Sequence, residues 1–468
     1  MKKYDVIIVG AGPAGVYASY ELAKESNKKV LLVDKGLDIY TRKCPILEGK
    51  MDKCPAATRK KDYAGCYPAC SITDGFGGAG AYSDGKFNIT TEFGGWLTDY
   101  LDDNQVMELI QSVDNINLKH GAPKTITDPT TNEVIEIEKI GYAKGLKLLR
   151  SKVRHLGTEI NLQILQSIFE ELKGDVDYMF RTTVNDLIIE DNVITGIETD
   201  KETIYADKVI LAVGRDGSKW LKDIASKYKI ESDQNQVDIG VRVETSDIVM
   251  QEINKHLYEG KFIFNTSVGT QVRTFCSNPS GHVVVENHSG TMLANGHAFK
   301  DKNKGSSNTN FALLVSHKLT DFDDPNLYAH TVSKLANQIS NGSIIIQSYG
   351  DILKGRRSTQ KRIDELFITP TQKTAVPGDL GLVLPYNTMR SLIEMMEALD
   401  HVTPGIASEH TLFYGVEAKF YSSRFKVNNN FETEIKGLYL AGDGAGLTRG
   451  LSQAGANGIA IARHIIRG

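Results

Sequence analysis

The sequence predicts a two-domain α/β protein: one domain with a parallel sheet and a β-meander, and an α+β domain inserted into it. Three observations lead to this prediction. The chain opens with a strand, a glycine turn and a helix, residues 178–214 alternate as short strands, and residues 437–468 repeat the order strand, glycine turn, helix. Such units form parallel sheets with helices on their faces. We therefore expect one domain at 1–235 and 425–468 and a substrate or cap domain at 236–424.

The opening unit has the pattern of a βαβ fold. Residues 4–9 (YDVIIV) form an apolar run typical of a buried parallel strand, and helical periodicity follows from Val16 to Lys24. A second buried strand at 29–34 ends in Asp34. The length of this unit is that of one strand, one crossover helix and the next strand.

The turn of this unit carries the pattern Gly10-x-Gly12-x-x-Gly15, and Asp34 follows 19 residues after its last glycine. In this context the first glycine permits the turn, the second lets a pyrophosphate approach the backbone, and the third lets helix and strand pack closely. The amide groups at the helix N-terminus attract phosphate. The pattern therefore predicts a Rossmann-like dinucleotide site, with Asp34 accepting hydrogen bonds from the adenosine ribose. The alternative is a glycine turn without a ligand.

Composition narrows the class of protein. The chain has 468 residues, of which 41% are hydrophobic and 24% charged, and a formal net charge of −4. These values exclude a wholly disordered, collagen-like or coiled-coil chain. The net charge favours neither a nucleic-acid nor a membrane partner, and no apolar run reaches the roughly 18 residues of a membrane-spanning helix. Five cysteines are few for a secreted chain of this length, so we expect a cytoplasmic protein.

Three later features accompany the first unit. A meander at 178–207 is followed by a strand ending in Ala212-Val213-Gly214, and a late strand ends in Leu440-Ala441-Gly442-Asp443. Together with the glycine turn, they resemble the FAD-binding fold of glutathione-reductase-like flavoproteins. The resemblance implies FAD as the cofactor. It also implies that Asp443 holds the ribityl chain or the pyrophosphate, and that the helix near Ser452 directs its positive end at the flavin.

A second glycine-rich run, GFGGAGAYSDGK at 75–86, has no counterpart in that general pattern. With the segments GVRVE, RTFCSNPSG and YGVEAKFYS it resembles a bacterial group of FAD-dependent dehydrogenases. That resemblance places the run close to the isoalloxazine, where Ser83 or Lys86 would hydrogen-bond the ring. The alternative is a flexible surface loop.

The glycine turn and the two resemblances together assign a set of cofactor contacts. They are Gly10, Gly12, Pro13, Ala14, Gly15, Asp34, Lys35, Gly78, Ala79, Ser83, Lys86, Val184, Ala212, Gly214, Gly442, Asp443, Gly450, Ser452, Gln453 and Ala454.

Four of the five cysteines, Cys44, Cys54, Cys66 and Cys70, fall within 27 residues. Three interpretations remain open: ligands of an iron–sulfur cluster or zinc, a redox pair of Cys66 and Cys70 beside the flavin, or small buried apolar residues. The spacings match neither ferredoxin nor zinc-knuckle patterns. We therefore assign no metal ligand.

A flavin reaction also needs an electron donor or acceptor and side chains that transfer protons. No second strand–GxGxxG–helix unit with its own acidic residue appears outside 10–34, and the glycines at 442–446 belong to the FAD site. NAD(P)H would therefore bind transiently, or electrons would come from a ferredoxin-like or flavodoxin-like partner. Glu409, His410 and Glu417 precede the C-terminal glycine turn and are the candidate proton donors or acceptors, with Cys66 and Cys70 as redox candidates. Each is also compatible with a structural role.

A basic run follows residue 353 and consists of Lys354, Arg356, Arg357, Lys361 and Arg362. It suits an acidic partner, an anionic substrate or simply a solvated helix face. The sequence as a whole predicts an FAD-dependent oxidoreductase that transfers hydride between flavin N5 and a small organic substrate. The alternatives are a flavin monooxygenase and a flavin-bearing RNA-modifying or RNA-binding protein. The sequence leaves the oligomeric state open.

Overall fold

The structure, a computed structural model, describes residues 3–45, 48, 50, 69–257, 260–288, 291–298, 302–318 and 325–468. The strands in these residues are β1 (Lys3–Val9), β2 (Val30–Val33), β3 (Lys86–Ile89), β4 (Leu146–Leu149), β5 (Lys152–His155), β6 (Val176–Met179), β7 (Val184–Glu190), β8 (Val193–Thr199), β9 (Thr203–Leu211), β10 (Ser232–Asp233), β11 (Val237–Ser246), β12 (Lys261–Asn265), β13 (Gln271–Asn278), β14 (His282–His288), β15 (Thr291–His297), β16 (Asn308–His317), β17 (Ile345–Ser348), β18 (Val376–Pro377), β19 (Leu412–Lys419), β20 (Arg424–Phe425) and β21 (Leu438–Leu440). The helices are α1 (Pro13–Glu25), α2 (Asp103–Lys119), α3 (Asn132–Tyr142), α4 (Thr158–Leu172), α5 (Ser218–Tyr228), α6 (Asp247–His256), α7 (Pro325–Ile339), α8 (Tyr349–Leu353), α9 (Gln360–Asp364), α10 (Tyr386–Asp400) and α11 (Leu451–Arg467).

The chain divides into two compact units. The first comprises Met1–Thr127, Ser151–Asp233 and Ser422–Gly468, and the second comprises Asp128–Arg150 and Gln234–Tyr421. The sequence prediction placed residues 128–150 in the first domain, whereas in the structure they belong to the second unit. The reason is that β4 pairs antiparallel with β12 of that unit.

The first unit contains the predicted parallel sheet. Strands β6, β2, β1, β9 and β21 are neighbours in that order, and all of these pairings are parallel. Strands β7, β8 and β9 form the antiparallel meander. Its first turn holds Asp191 and Asn192, both with positive φ (47° and 62°), as a tight two-residue hairpin requires. The α/β fold class is therefore confirmed.

One sequence expectation at 143–173 is wrong in its first half. The sequence predicts helix there, but residues 146–155 form β4 and β5, and only α4 is helical. Leu146 and Leu148 are buried on either side of the exposed Lys147, which is the period of a strand. Because β4 pairs with β12 and β5 pairs with β3, this short run contributes to two different sheets.

The second unit is built on an eight-stranded sheet in the order β18-β17-β19-β11-β16-β13-β12-β4, with a separate hairpin of β14 and β15. Along β11, Ile239, Val241 and Val243 enter the apolar core of the unit. The alternating residues Arg242 and Glu244 are equally buried. The opposite face of this sheet therefore encloses a polar layer.

Helices α1 and α11 of the first unit pack so closely that their backbones are in contact. A Cβ added to Gly458 on α11 would lie 2.0 Å from the carbonyl oxygen of Ala14 on α1, and one added to Gly455 would lie 2.8 Å from the Tyr17 ring. Only glycine permits such a close approach of two helices.

The substitution Gly458→Ala should therefore destabilise the protein by about 1–3 kcal/mol, because the new methyl group must push α11 away from α1. The matched control is Gly141→Ala in α3, where the nearest atom would lie 3.4 Å away. Alanine there should leave stability unchanged or raise it by up to about 1 kcal/mol through its better helix propensity. Calorimetric unfolding midpoints measure both. A Gly458→Ala midpoint equal to that of Gly141→Ala would contradict the close packing.

Candidate functional site

The first element of the candidate site is the turn between β1 and α1. Gly10 has a φ of +104°, and a Cβ there would lie 2.3 Å from the carbonyl oxygen of Ala212. A Cβ on Gly15 would lie 1.9 Å from the carbonyl oxygen of Gly10. Gly12 differs, because its φ is −72° and a Cβ there would meet nothing within 4 Å. Gly10 and Gly15 are thus needed for close packing of the backbone, whereas Gly12 borders open space.

Helix α1 starts at this open space. Gly12 is its N-cap, no side chain caps the helix, and Pro13 occupies the first turn. Among the described residues, no side chain accepts from the amide groups of the first helical turn, which carry the positive end of the helix dipole. This end of α1 is suited to an anion such as a pyrophosphate.

The carboxylate of Asp34 is oriented by the backbone of two loops. Its Oδ2 accepts a hydrogen bond from the Ala11 amide at 2.7 Å, and its Oδ1 accepts from the amides of Gly36 at 2.7 Å and Gly75 at 2.9 Å. A carboxylate offers about four acceptor positions, so about one remains for a ligand hydroxyl. Asp34 therefore joins the first glycine turn to the second glycine-rich run.

The second glycine-rich run lies directly against the first turn. The Gly77 amide donates to the carbonyl oxygen of Ala11 at 2.7 Å, and a Cβ on Gly78 would lie 2.9 Å from the Cα of Gly12. Gly77 and Gly78 are buried. The run is thus a packed loop in the described structure, and not a free surface loop.

The third element is the region of β9, β21 and α11. The Gly442 amide donates to Oδ1 of Asn457 at 2.8 Å, and the Thr448 hydroxyl donates to Oδ1 of Asp443 at 2.8 Å. Gly214 and Gly450 both have positive φ, and a Cβ on either would meet nothing within 4 Å. These two glycines therefore border open space, as Gly12 does.

Helix α11 also begins without a side-chain cap, at the N-cap Gly450. Gly80 connects the two helix starts, because a Cβ there would lie 2.7 Å from Leu451 Cδ2 and 3.4 Å from Pro13 Cγ. Pro13 and Leu451 are the first residues of α1 and α11. The structure thus brings two uncapped helix N-termini and the second glycine-rich run together.

Two predicted lysines are engaged within the protein. Lys35 forms ion pairs with Asp74, at 3.4 Å, and with Asp216. Lys86 pairs with Asp84 at 3.4 Å. Neither lysine is therefore an uncompensated positive charge.

The remaining predicted contacts differ in exposure. Ser83 donates its hydroxyl hydrogen to the carbonyl oxygen of Gly80 at 2.7 Å, and Gln453 donates to the carbonyl oxygen of Phe93 at 3.1 Å. Ala79 is exposed. The buried ones are Ala14, Val184, Ala212, Ser452, Gln453 and Ala454.

The predicted catalytic residues Glu409, His410 and Glu417 all belong to the second unit, where they have different environments. Glu409 is exposed and pairs with Lys354 at 2.8 Å, which lowers the pKa of Glu409. Glu417 is fully buried on β19 and pairs with Arg242 at 3.5 Å. Glu409 is thus a surface ion pair and Glu417 an interior one.

His410 is half-buried and stacks on the ring of Phe367, with 3.7 Å between the ring centroids. The Phe367 amide donates to its Nδ1 at 3.3 Å. A neutral His410 that accepts at Nδ1 carries its proton on Nε2. The stacking on Phe367 and the hydrogen bond to Nδ1 together orient the His410 ring.

The cysteine cluster lies partly outside the described residues, which include neither Cys54 nor Cys66. Cys44 is half-buried and Cys70 is exposed, and both thiols are free. Among the described residues, no group of three or more His, Cys, Asp or Glu side chains is arranged to hold a metal ion.

The basic run is partly neutralised. Arg356 and Arg362 both pair with the buried carboxylate of Asp351, at 2.6 Å and 3.0 Å, and Lys354 pairs with Glu409. These ion pairs leave less positive charge for an acidic partner than the sequence suggests.

Sequence reasoning missed three residues of the site. Asn457 fixes the Gly442 amide, Thr448 fixes the Asp443 carboxylate, and Arg42 binds the second glycine-rich run. For Asn457 a signal was present, since it is a polar residue in the apolar stretch of α11. For Arg42 the sequence contains no comparable signal.

Comparison with known proteins supports this description. Residues 236–420 match the family model described as FAD-dependent protein, C-terminal domain-like, and residues 8–44 match that of the NAD(P)-binding Rossmann-like domain. An uncharacterised protein of Clostridium beijerinckii is 25% identical over 488 aligned residues, which span 98% of this chain and 80% of that protein. An uncharacterised protein of Methanosarcina barkeri is 69% identical over 35 residues, which are 8% of this chain and 9% of that protein.

Among solved structures, the chain is similar to a geranylgeranyl bacteriochlorophyll reductase-like protein from Thermoplasma acidophilum. The sequences are 12% identical, the TM-score is 0.39, and the match covers 100% of this chain and 79% of the other. Separately, none of the helices in the described residues is both long enough and apolar enough to cross a membrane.

The electrostatics of Asp443 give a testable pH dependence. Desolvation raises the pKa of Asp443 above its ordinary value of 3.8, although Arg215 and the Thr448 hydroxyl act in the opposite direction. A carboxyl group with a raised pKa in the folded state adds stability at low pH and loses that contribution as the pH rises through the raised value. Asp443→Asn should therefore stabilise the ligand-free protein at neutral pH, and the gain should shrink on acidification.

The control for this prediction is Asp186→Asn in the same unit. Desolvation is the largest single influence and opposes the ionisation of Asp186, but the hydrogen bonds from Lys227, the Leu187 amide and Tyr228, together with the charge of Lys227, lower the pKa of Asp186. That variant should lose stability at neutral pH. Urea unfolding at a series of pH values measures both. An Asp443→Asn variant that is less stable than wild type at neutral pH would show that the carboxylate is favoured in the fold.

Proposed function

We propose that the protein is an FAD-dependent oxidoreductase whose first unit holds an extended FAD. One observation carries the proposal: two uncapped helix N-termini meet at Gly80, next to glycines whose Cβ positions are open. The positive end of α1 fits a negatively charged diphosphate, and the positive end of α11 fits a ring that gains negative charge on reduction. The match of residues 236–420 to an FAD-dependent protein family supports the same cofactor.

The space around three glycines of the first unit is compatible with bound FAD. Gly12, Gly214 and Gly450 form a cradle that side chains would fill, since a Cβ on any of them would enter open space. Gly12 and the start of α1 would hold the pyrophosphate, and Asp34 would use its remaining acceptor position for the ribose. Asp443 and the start of α11 would face the ribityl chain and the ring.

When bound, FAD supplies the acceptance and donation of hydride that the side chains of a protein cannot provide. The chain then binds and orients a small organic substrate and moves the proton that accompanies the hydride. Glu409, His410 and Glu417 are the candidates for this proton transfer. We propose that electrons come from NAD(P)H bound transiently or from a ferredoxin-like or flavodoxin-like protein.

The first test is the visible absorption spectrum of the purified protein, after addition of FAD if it is colourless. We expect bound flavin bands, with two electrons taken up per FAD in an anaerobic titration. A larger electron uptake would identify a second redox group such as a cysteine pair. A protein that binds no flavin even after reconstitution would refute the proposal. Rapid oxygen-dependent reoxidation with hydroxylated product would instead indicate a monooxygenase.

A sharper test compares two neighbouring glycines of the same turn. Gly12→Ala should fold as wild type, because its φ is ordinary and its Cβ meets no protein atom, but it should bind FAD at least about tenfold more weakly. Gly10→Ala, with a positive φ and a contact of 2.3 Å to Ala212, should instead lower the thermal stability of the protein itself. Fluorescence titration with FAD and unfolding midpoints separate the two effects. Wild-type affinity in Gly12→Ala would contradict the assigned site.

A further inference from the structure

Arg42 is a buried arginine that binds the second glycine-rich run. It is 3% exposed, and within the described residues its guanidinium donates four hydrogen bonds, all to backbone carbonyl oxygens. Nε donates to Ser71 at 2.9 Å, Nη1 to Phe76 at 2.6 Å, and Nη2 to Ile72 at 3.0 Å and Gly78 at 2.9 Å. One side chain thus fixes four carbonyl groups within eight residues of chain.

The Arg42 guanidinium is held without a direct carboxylate partner in the described structure. Burial lowers the pKa of Arg42, while the nearby charges of Asp34 and Asp74 raise it. Arginine nevertheless remains protonated in proteins, so a positive charge persists inside the loop. The Tyr82 ring lies 5.1 Å from the guanidinium, and the Tyr82 hydroxyl donates to the Arg42 carbonyl oxygen at 2.7 Å.

Asp34 and Arg42 act on the same loop in complementary ways. Asp34 accepts from the Gly75 amide, whereas Arg42 binds the carbonyl groups of Phe76 and Gly78 on the next residues. A glycine-rich segment has the largest conformational freedom of any chain, so its position must come from such contacts. The charged side chains form hydrogen bonds stronger than those between neutral groups.

The position of the loop matters because Gly78 lies against Gly12, the residue that borders the open cradle. We propose that Arg42 is a positioning residue of the cofactor site: it fixes the second glycine-rich run against the pyrophosphate turn without itself contacting the cofactor. This inference rests on the proposed FAD function. It identifies Arg42, a residue outside the glycine patterns, as one on which FAD affinity depends.

The experiment compares Arg42→Lys with Arg154→Lys. A lysine ammonium has one nitrogen and cannot bind four carbonyl groups in the fork geometry of a guanidinium. Arg154 is also buried in the first unit, but its hydrogen bonds go to Asp114 and Pro123 and none goes to the glycine-rich run. Both variants lose a buried arginine, so their unfolding midpoints should fall by similar amounts.

Of the two lysine variants, only Arg42→Lys should weaken FAD binding. The loss should be on the order of tenfold, as is typical when a residue that supports a binding site is removed. Affinity for ADP should fall in parallel, because the loop adjoins the pyrophosphate turn. Fluorescence titration with FAD, competition with ADP and the visible circular dichroism of bound flavin are the readouts. Tyr82→Phe, which removes only the hydrogen bond to the Arg42 carbonyl group, should fold normally and show a smaller loss of affinity.

Two outcomes would overturn the inference and leave the proposed function intact. In the first, wild type binds FAD and Arg42→Lys binds it equally well. In the second, Arg42→Lys and Arg154→Lys lose the same affinity, so that the effect follows stability alone. Should Arg42→Lys fail to fold, unchanged FAD affinity in Tyr82→Phe would count against the inference. A wild-type protein that binds neither FAD nor ADP would refute the proposed function itself.

Discussion

The first unit depends on contacts between one backbone and another that only glycine permits. Gly15 meets the carbonyl oxygen of Gly10 and Gly458 meets that of Ala14, at distances of 1.9 Å and 2.0 Å for an added Cβ. Gly444 meets the carbonyl oxygen of Gly214 in the same way, at 2.3 Å. Each of these contacts brings two elements closer than side chains would allow. They place the starts of α1 and α11 near each other, and therefore concentrate two helix dipoles in one region.

A second class of glycine has the opposite surroundings. Gly12, Gly214 and Gly450 would each project a Cβ into space that contains no protein atom within 4 Å. The protein thus combines glycines that are needed for its own packing with glycines that leave room for something else. Gly12, whose φ is ordinary, is the position where a substitution should affect binding with little effect on stability. Gly214 and Gly450 have positive φ, so a substitution at either would also strain the backbone.

The sequence contains enough information for the strand–turn–helix units, because a buried parallel strand reads as a continuous apolar run and the glycine turn marks its end. It does not separate the two classes of glycine, since Gly10 and Gly12 look alike in a pattern and differ only in which atoms surround them. For residues 146–155 the sequence predicts a helix where the structure has two short strands, because the leucines there fit either period. The sequence does not predict the hydrogen-bond partners of the side chains, because these partners are far apart in the chain. The Asp34 carboxylate, for example, accepts from the Gly75 amide, which is 41 residues away.

The second glycine-rich run is ordered by side-chain hydrogen bonds to its backbone as well as by apolar packing, and Asn161 contributes one of these bonds by donating to the carbonyl oxygen of Gly80 at 2.7 Å. Phe76 is buried in the core and anchors the run from one side. The remaining glycines offer no side chains, so only their amide and carbonyl groups can be held. A carboxylate is the stronger acceptor for amides and a guanidinium the stronger donor for carbonyls, and the chain uses one of each, Asp34 and Arg42. The negative charge of Asp34 acts against the effect of burial on the pKa of Arg42. A loop with little side-chain surface is thereby ordered beside the turn where the cofactor is expected.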